Sequence, residues 1–212
     1  MARRPVVLVA TATVLVGLVP ATAVADDRSG DPPTPGAPGI GDPYFPLDGN
    51  GGYDVEHYDL DLSYDPATDV LSGTATVEAT ATEDLSAFNL DFEGLEVRSV
   101  TVDGRLATWS RDGGELTVTA DRPLWHDREF AVAVTYDGVP VTIEDPLLGQ
   151  SGFFHTDDGA LVAGQPDVAA TWFPANDHPL DAASVAVSIA VPEGLEGVSN
   201  GCLLYTSDAA DE

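Results

Sequence analysis

The sequence predicts an all-β fold, an antiparallel β-sandwich, and three observations predict it. Apolar and polar residues alternate with a period of two in one segment after another. Asp-Gly and Gly-Gly pairs punctuate those segments, and no stretch carries the 3.6-residue apolar period of an amphipathic helix. The stretch 53–201, about 150 residues, is long enough for one sandwich to bury a core of its own.

The chain opens on the layout of a secretory signal peptide over residues 1–25. Arg3 and Arg4 precede an apolar run from Pro5 to Val19, and Ala23-Val24-Ala25 stands before Asp26, so cleavage is expected after Ala25. The apolar run is shorter than the ~20 residues that span a bilayer, which argues against a stable anchor. MARRPV lacks the residues that usually surround a twin-arginine signal, so general secretion and an extracellular location are expected. Residues 26–52 hold Pro32, Pro33, Pro35, Pro38, Pro43 and Pro46 among Gly and Asp. Such a composition offers little apolar surface to offset ordering and reads as a disordered lead-in.

From Tyr53 the pattern becomes that of strands. Tyr58, Leu60, Leu62 and Tyr64 alternate with Asp59, Asp61 and Ser63, as a strand with one wet face requires. Gly73 to Thr82 alternates likewise; Phe88, Leu90 and Phe92 share a face; and Val100 and Val102 run into Asp103-Gly104, a hairpin-turn pair. Asp112-Gly113-Gly114 separates Trp109 from Leu116 and Val118. Phe130, Val132, Val134 and Tyr136 make a further strand, and Val185, Val187, Ile189 and Val191 the last, ended by Pro192. Gly138 to Thr156 contains Pro140, Pro146, Gly149 and Gly152 and reads as one long connection, of a length that often has a function.

The chemistry-bearing stretch is Gly164 to Pro179, GQPDVAATWFPANDHP. Gly164 allows close backbone approach and delivers Gln165 at a strand-to-loop exit, where its amide oxygen can accept from an ammonium group. Trp172, Phe173 and Pro174 supply apolar mass, and Asn176, Asp177, His178 and Pro179 read as an Asx-type turn closed by a rigid residue. This run resembles the aminopeptidase N family of zinc aminopeptidases, in which Glu or Gln precedes Pro and an aromatic-Pro-x-x-Asp-x-Pro turn follows. Gln165 and Asp177 keep the family's twelve-position spacing. Weaker blocks extend the likeness from Tyr53 through residues 90–104, Val134 to Gly138 and Val198 to Gly201, while Ala175 and Ala182 stand where the family often has Cys and Lys.

The resemblance implies the saddle-like, all-β N-terminal domain of a secreted zinc aminopeptidase that removes residues from peptides with a free N-terminus. It further implies that the Gln165 carbonyl binds the substrate's α-ammonium together with glutamates of a catalytic domain. That domain should bring a Gly-x-Met-Glu-Asn strand and an HExxH zinc helix. Neither motif occurs here, since the histidines stand at 57, 126, 155 and 178. Catalytic residues and zinc ligands are therefore expected outside this chain, and the fragment alone is expected to be inactive. The segment 138–156 would lie on the edge facing the catalytic domain.

Other constellations carry less. His155, Asp157 and Asp158 before Gly159 read as a polar turn rather than a metal site. The alternation should split Asp54, Glu56, Asp59 and Asp61 between two strand faces, against a calcium cluster. No Gly-x-Ser-x-Gly supports serine catalysis. The formal charge of −28 becomes −30 once Arg3 and Arg4 leave, and no lysine occurs, which excludes nucleic acid as a natural partner. The tail Cys202 to Glu212 breaks the alternation and matches a translated transposase mosaic-end sequence from library preparation. Residues 202–212 are thus expected to be an artefact, and with them goes the lone cysteine. The rival reading is a stand-alone secreted β-sandwich that binds carbohydrate or protein through Trp109, Trp125 and Trp172.

Overall fold

A computed structural model describes residues 31–145, 149–165 and 167–204; the expected signal peptide and residues 205–212 lie outside the described residues. The compact unit begins at Pro32. Its strands are β1 (Thr34–Pro35), β2 (Tyr53–Asp65), β3 (Val70–Ala81), β4 (Leu85–Asp91), β5 (Glu96–Val102), β6 (Arg105–Leu106) and β7 (Thr108–Asp112). They continue with β8 (Glu115–Thr119), β9 (Glu129–Gly138), β10 (Thr142–Asp145), β11 (Gly149–Thr156), β12 (Gly159–Ala163) and β13 (Ser184–Ala190). A 3-10 turn at Ala169–Thr171 is the one helical element among the described residues.

The expected period-two segments pair into a six-stranded sheet, β13-β2-β3-β9-β5-β6, and a four-stranded sheet, β1-β4-β8-β7. Leu60, Leu62, Val77, Val132 and Val134 of the first sheet share one core with Phe88, Leu90, Leu116 and Val118 of the second. Aromatic edges join the layers: Phe88 meets Phe130 at 5.3 Å and Tyr53 at 5.7 Å, and Phe92 meets Tyr136 at 5.0 Å. The Asp103-Gly104 turn has positive φ at both residues, as a two-residue hairpin between Val102 and Arg105 demands.

Four features differ from the sequence reading. The pairs β13–β2 and β1–β4 are parallel, so the sheets are mixed rather than wholly antiparallel; alternation fixes which face is wet but carries no strand direction. A bulge between Val55 and His57 shifts the phase of β2 by one residue. Asp54, Glu56, Asp59 and Asp61 consequently all face solvent instead of dividing between faces. The long connection 138–156 is largely sheet: β10 and β11 lie within it and form a three-stranded meander with the following β12, with Phe153 buried against Tyr64 at 5.4 Å.

The fourth difference is the lead-in, which from Pro32 onward is built into the fold. Thr34 and Gly36 donate to the carbonyls of Asp84 and Ala87 at 3.0 and 2.9 Å, and Gly51 donates to Ala37 at 2.9 Å. The ordering comes from backbone pairing at glycines rather than from apolar side chains. A Cβ on Gly36 would stand 2.5 Å from the Gly51 carbonyl, so only glycine permits that approach. At the opposite edge β13 is largely exposed. Val185, Val187 and Ile189 lie in register with Tyr58, Leu60 and Leu62 and so continue the inner face, yet are 53%, 37% and 40% exposed.

Candidate functional site

The chain leaves β12 at Ala163 and turns through Gly164, Gln165 and Asp167 into the 3-10 turn. Gly164 has φ +156°, and a Cβ there would lie 2.6 Å from Ser151 Cβ and 2.7 Å from Val168 Cγ1. The loop is therefore wedged against β11 at its first residue, which only glycine tolerates. Gln165, one residue later, is exposed and makes no hydrogen bond to any described residue. Among the described residues its amide has no partner.

Downstream of the turn, the apolar trio and the polar turn fasten the loop from the other side. Phe173 is buried edge-on to Tyr58 at 5.4 Å, and the half-buried Trp172 packs edge-on to Phe173 at 4.5 Å. Ala175 pairs with Asp91 through both backbone hydrogen bonds, at 2.8 and 3.0 Å. Asn176, 5% exposed, accepts from the Asn50 N–H, donates its backbone N–H to Tyr58 Oη at 2.9 Å and donates its amide to Asp181. Asp181 accepts from the Val55 N–H at 3.2 Å.

Asp177 Oδ2 reaches back seven residues to accept the Ala170 N–H at 3.0 Å, and its own N–H donates to Asp91 Oδ2 at 2.7 Å. The same Asp91 oxygen accepts the Gly49 N–H at 3.1 Å. A local Asx turn was expected at 176–179. The structure instead spends both Asx side chains on other segments, and so the spacing of Gln165 and Asp177 has a mechanical meaning. Asp177 closes the 3-10 turn that follows the Gln165 loop. His178 is structural, with Nδ1 accepting from the Leu180 N–H at 3.1 Å and Nε2 3.5 Å from Asp42.

Burial sets the electrostatics. It pushes Asp91 and Asp177 up to about 6 against the lowering pull of the N–H groups they accept from, and it raises Asp181. Asp48 rises to about 7, through burial and then its contact with Asp167, and Glu115 of β8 rises to about 7, through burial and the charges of Asp91 and Asp48. Sequence reasoning missed Asp48, Asp91 and Glu115. Asp91 follows Leu90 as a polar residue in an alternating strand, and nothing local marks it as buried.

The other sequence candidates resolve into scaffolding. His155 Nε2 donates to the Pro140 carbonyl at 2.9 Å and its Nδ1 lies 3.1 Å from Asp69, while Asp157-Asp158 is the two-residue turn between β11 and β12. Among the described residues no three His, Cys, Asp or Glu side chains are grouped so as to hold a metal. No zinc ligand is assigned to them.

A family model for the peptidase M1 N-terminal domain matches residues 54–212. A mutant of a two-domain M1 zinc metallopeptidase bound to L-arginine is 31% identical, with a TM-score of 0.75 over 80% of this chain and 40% of that one. A mutant M1 zinc metallopeptidase from Deinococcus radiodurans, bound to a Tyr-Ser-Ala substrate, is 31% identical with a TM-score of 0.74 over the same shares. Another structure of the Deinococcus radiodurans enzyme is 30% identical with a TM-score of 0.75, over 80% of this chain and 39% of that one. The chain thus spans about 40% of the length of the structures it matches.

The raised carboxyls give stability a pH dependence of defined sign. Between the ordinary carboxyl range near 4 and the folded values of about 6 to 7, the native state binds more protons than the unfolded chain. Stability then falls as pH rises through that window. Thermal midpoints of the full chain should decline from pH 5 to pH 7.5. A midpoint that climbs over this range contradicts the assignment of Asp91, Asp177 and Glu115 as buried acids.

Proposed function

Because the chain belongs to the peptidase M1 N-terminal domain family, we propose that it is the N-terminal domain of an exported, zinc-dependent aminopeptidase, with Gln165 as its contribution to the substrate site. The observation that carries this reading is the state of Gln165. Its amide is exposed and unpaired among the described residues, at the tip of a loop wedged by Gly164 on one side and tied by Asp177 on the other. Holding an acceptor still before the ligand arrives lowers the ordering cost of binding.

An amide oxygen suits an ammonium group because it accepts a charge-assisted hydrogen bond without titrating. A peptide with a free N-terminus presents such a group, and an N-acylated peptide does not. The amino acid and peptide bound by the M1 relatives are consistent with that substrate class. Zinc belongs, in this reading, to the part of the parent that these residues do not include, and the fragment alone is inactive. The apolar stripe of Val185, Val187 and Ile189 supports a fold completed by further protein, because an uncharged edge strand with its inner face open is a surface that soluble proteins cover.

In the parent enzyme, Gln165→Ala should lower kcat/KM for peptides roughly tenfold, the loss expected for a hydrogen bond to a charged group. Unchanged kinetics would remove the assignment. The exported protein should begin at Asp26 by intact mass, and retention of residues 1–25 in the mature product would contradict cleavage after Ala25.

A further inference from the structure

We propose that Asn50–Gly51 is a gated modification site, where docking of the lead-in blocks spontaneous deamidation and deamidation, once it occurs, prevents the lead-in from docking again. In an Asn-Gly pair the glycine nitrogen loses its proton and attacks the asparagine side-chain carbonyl carbon. The new N–C bond closes a succinimide, and the side-chain nitrogen leaves as ammonia. Water then opens the ring to aspartate or isoaspartate. Glycine favours the attack because no side chain stands in its way. The chain holds two such pairs, Asn50–Gly51 and Asn200–Gly201, and the structure treats them oppositely.

Asn200 and Gly201 are both exposed, and a Cβ on Gly201 would meet nothing within 4 Å. Asn50 is 1% exposed. Its N–H donates to the Asn176 side-chain carbonyl, and its own carbonyl accepts from the Asn176 amide at 3.4 Å. The attacking nitrogen is occupied as well, since the Gly51 N–H donates to the Ala37 carbonyl at 2.9 Å. Such a nitrogen keeps its proton and its direction while the lead-in is seated. The seat is held by the backbone N–H groups of Thr34, Gly36 and Gly49, while Ile40, Tyr44 and Leu47 are exposed. The lead-in therefore opens more easily than the sheets, and each opening frees Asn50 to react. What returns after reaction is a different segment. Aspartate would carry a charge into the crevice that Asn50 shares with Asp54, His178 and Asp181. His178 is already engaged there, its Nδ1 accepting from Leu180 and its Nε2 lying 3.5 Å from Asp42. A buried carboxylate without a positive partner is costly. Isoaspartate instead adds a carbon to the main chain and moves the Gly51 N–H off the Ala37 carbonyl. The site works in the same way whatever Gln165 binds.

Peptide mapping by mass spectrometry of the full chain, held at pH 8, reads conversion at both pairs. Asn50 should convert at about a tenth of the Asn200 rate or less, a factor set by the opening equilibrium of the lead-in. Urea below the unfolding transition should raise the Asn50 rate and leave that of Asn200 unchanged. Gly36→Ala, whose Cβ would stand 2.5 Å from the Gly51 carbonyl, should do the same without denaturant. The urea series on the unaltered chain decides if this variant fails to fold. Equal rates at the two pairs in the folded chain, or an Asn50 rate that ignores urea, overturn the gate. Amide hydrogen exchange reads the consequence. In the chain isolated with Asn50 converted, and in Asn50→Asp, the Thr34 and Gly36 amides should exchange about tenfold faster while those of β3 and β9 keep their protection. Retained protection of Thr34 and Gly36 in the converted chain shows that the lead-in docks again and overturns the proposal.

Discussion

One buried carboxylate joins the parts on which the site depends. Asp91 sits at the end of β4, 8% exposed, where its backbone pairs with Ala175 and its Oδ2 accepts from both Gly49 and Asp177. Through Gly49 it holds the lead-in, and through Asp177 it holds the 3-10 turn after Gln165. An apolar residue of the same size would leave both N–H groups without acceptors, and a buried donor left unpaired costs about 1–3 kcal/mol. The sandwich supplies the platform, and Asp91 is the pin that fixes a loop to it.

The chain has no lysine and a formal charge of −28, so positive partners for buried acids are scarce. The fold answers with backbone dipoles, since Asp91, Asp177 and Asp181 are each met by N–H groups rather than by arginines. Such donors offset only part of the desolvation cost. The carboxyls therefore end with raised pKa values. The same scarcity leaves the surface acids of β2 in a row on one exposed face, where water screens them.

Much of the sandwich was legible because its signals are local. The alternation of Tyr58 to Tyr64 and of Phe130 to Tyr136, and the Asp103-Gly104 turn, act over a few residues and appear in the structure where they were expected. What was not legible is non-local. The bulge at Val55 to His57 shows only in pairing with β3, the order of the lead-in depends on glycine backbones meeting from Gly36 to Gly51, and β10 and β11 were hidden by the prolines and glycines in and around them. Gln165 could be singled out from its neighbours in sequence. Asp91, 74 residues earlier than Gln165, could not, because its importance lies in contacts with residues 49 and 177.

The most direct test of this account is amide hydrogen exchange in Asp91→Ala at the Gly49, Asp177 and Ala170 amides. If one carboxylate pins both segments, all three should lose protection together while the Leu60 and Val132 amides keep theirs. Retained protection at Ala170 with Gly49 opened would show that the turn stands without Asp91 and would contradict the account.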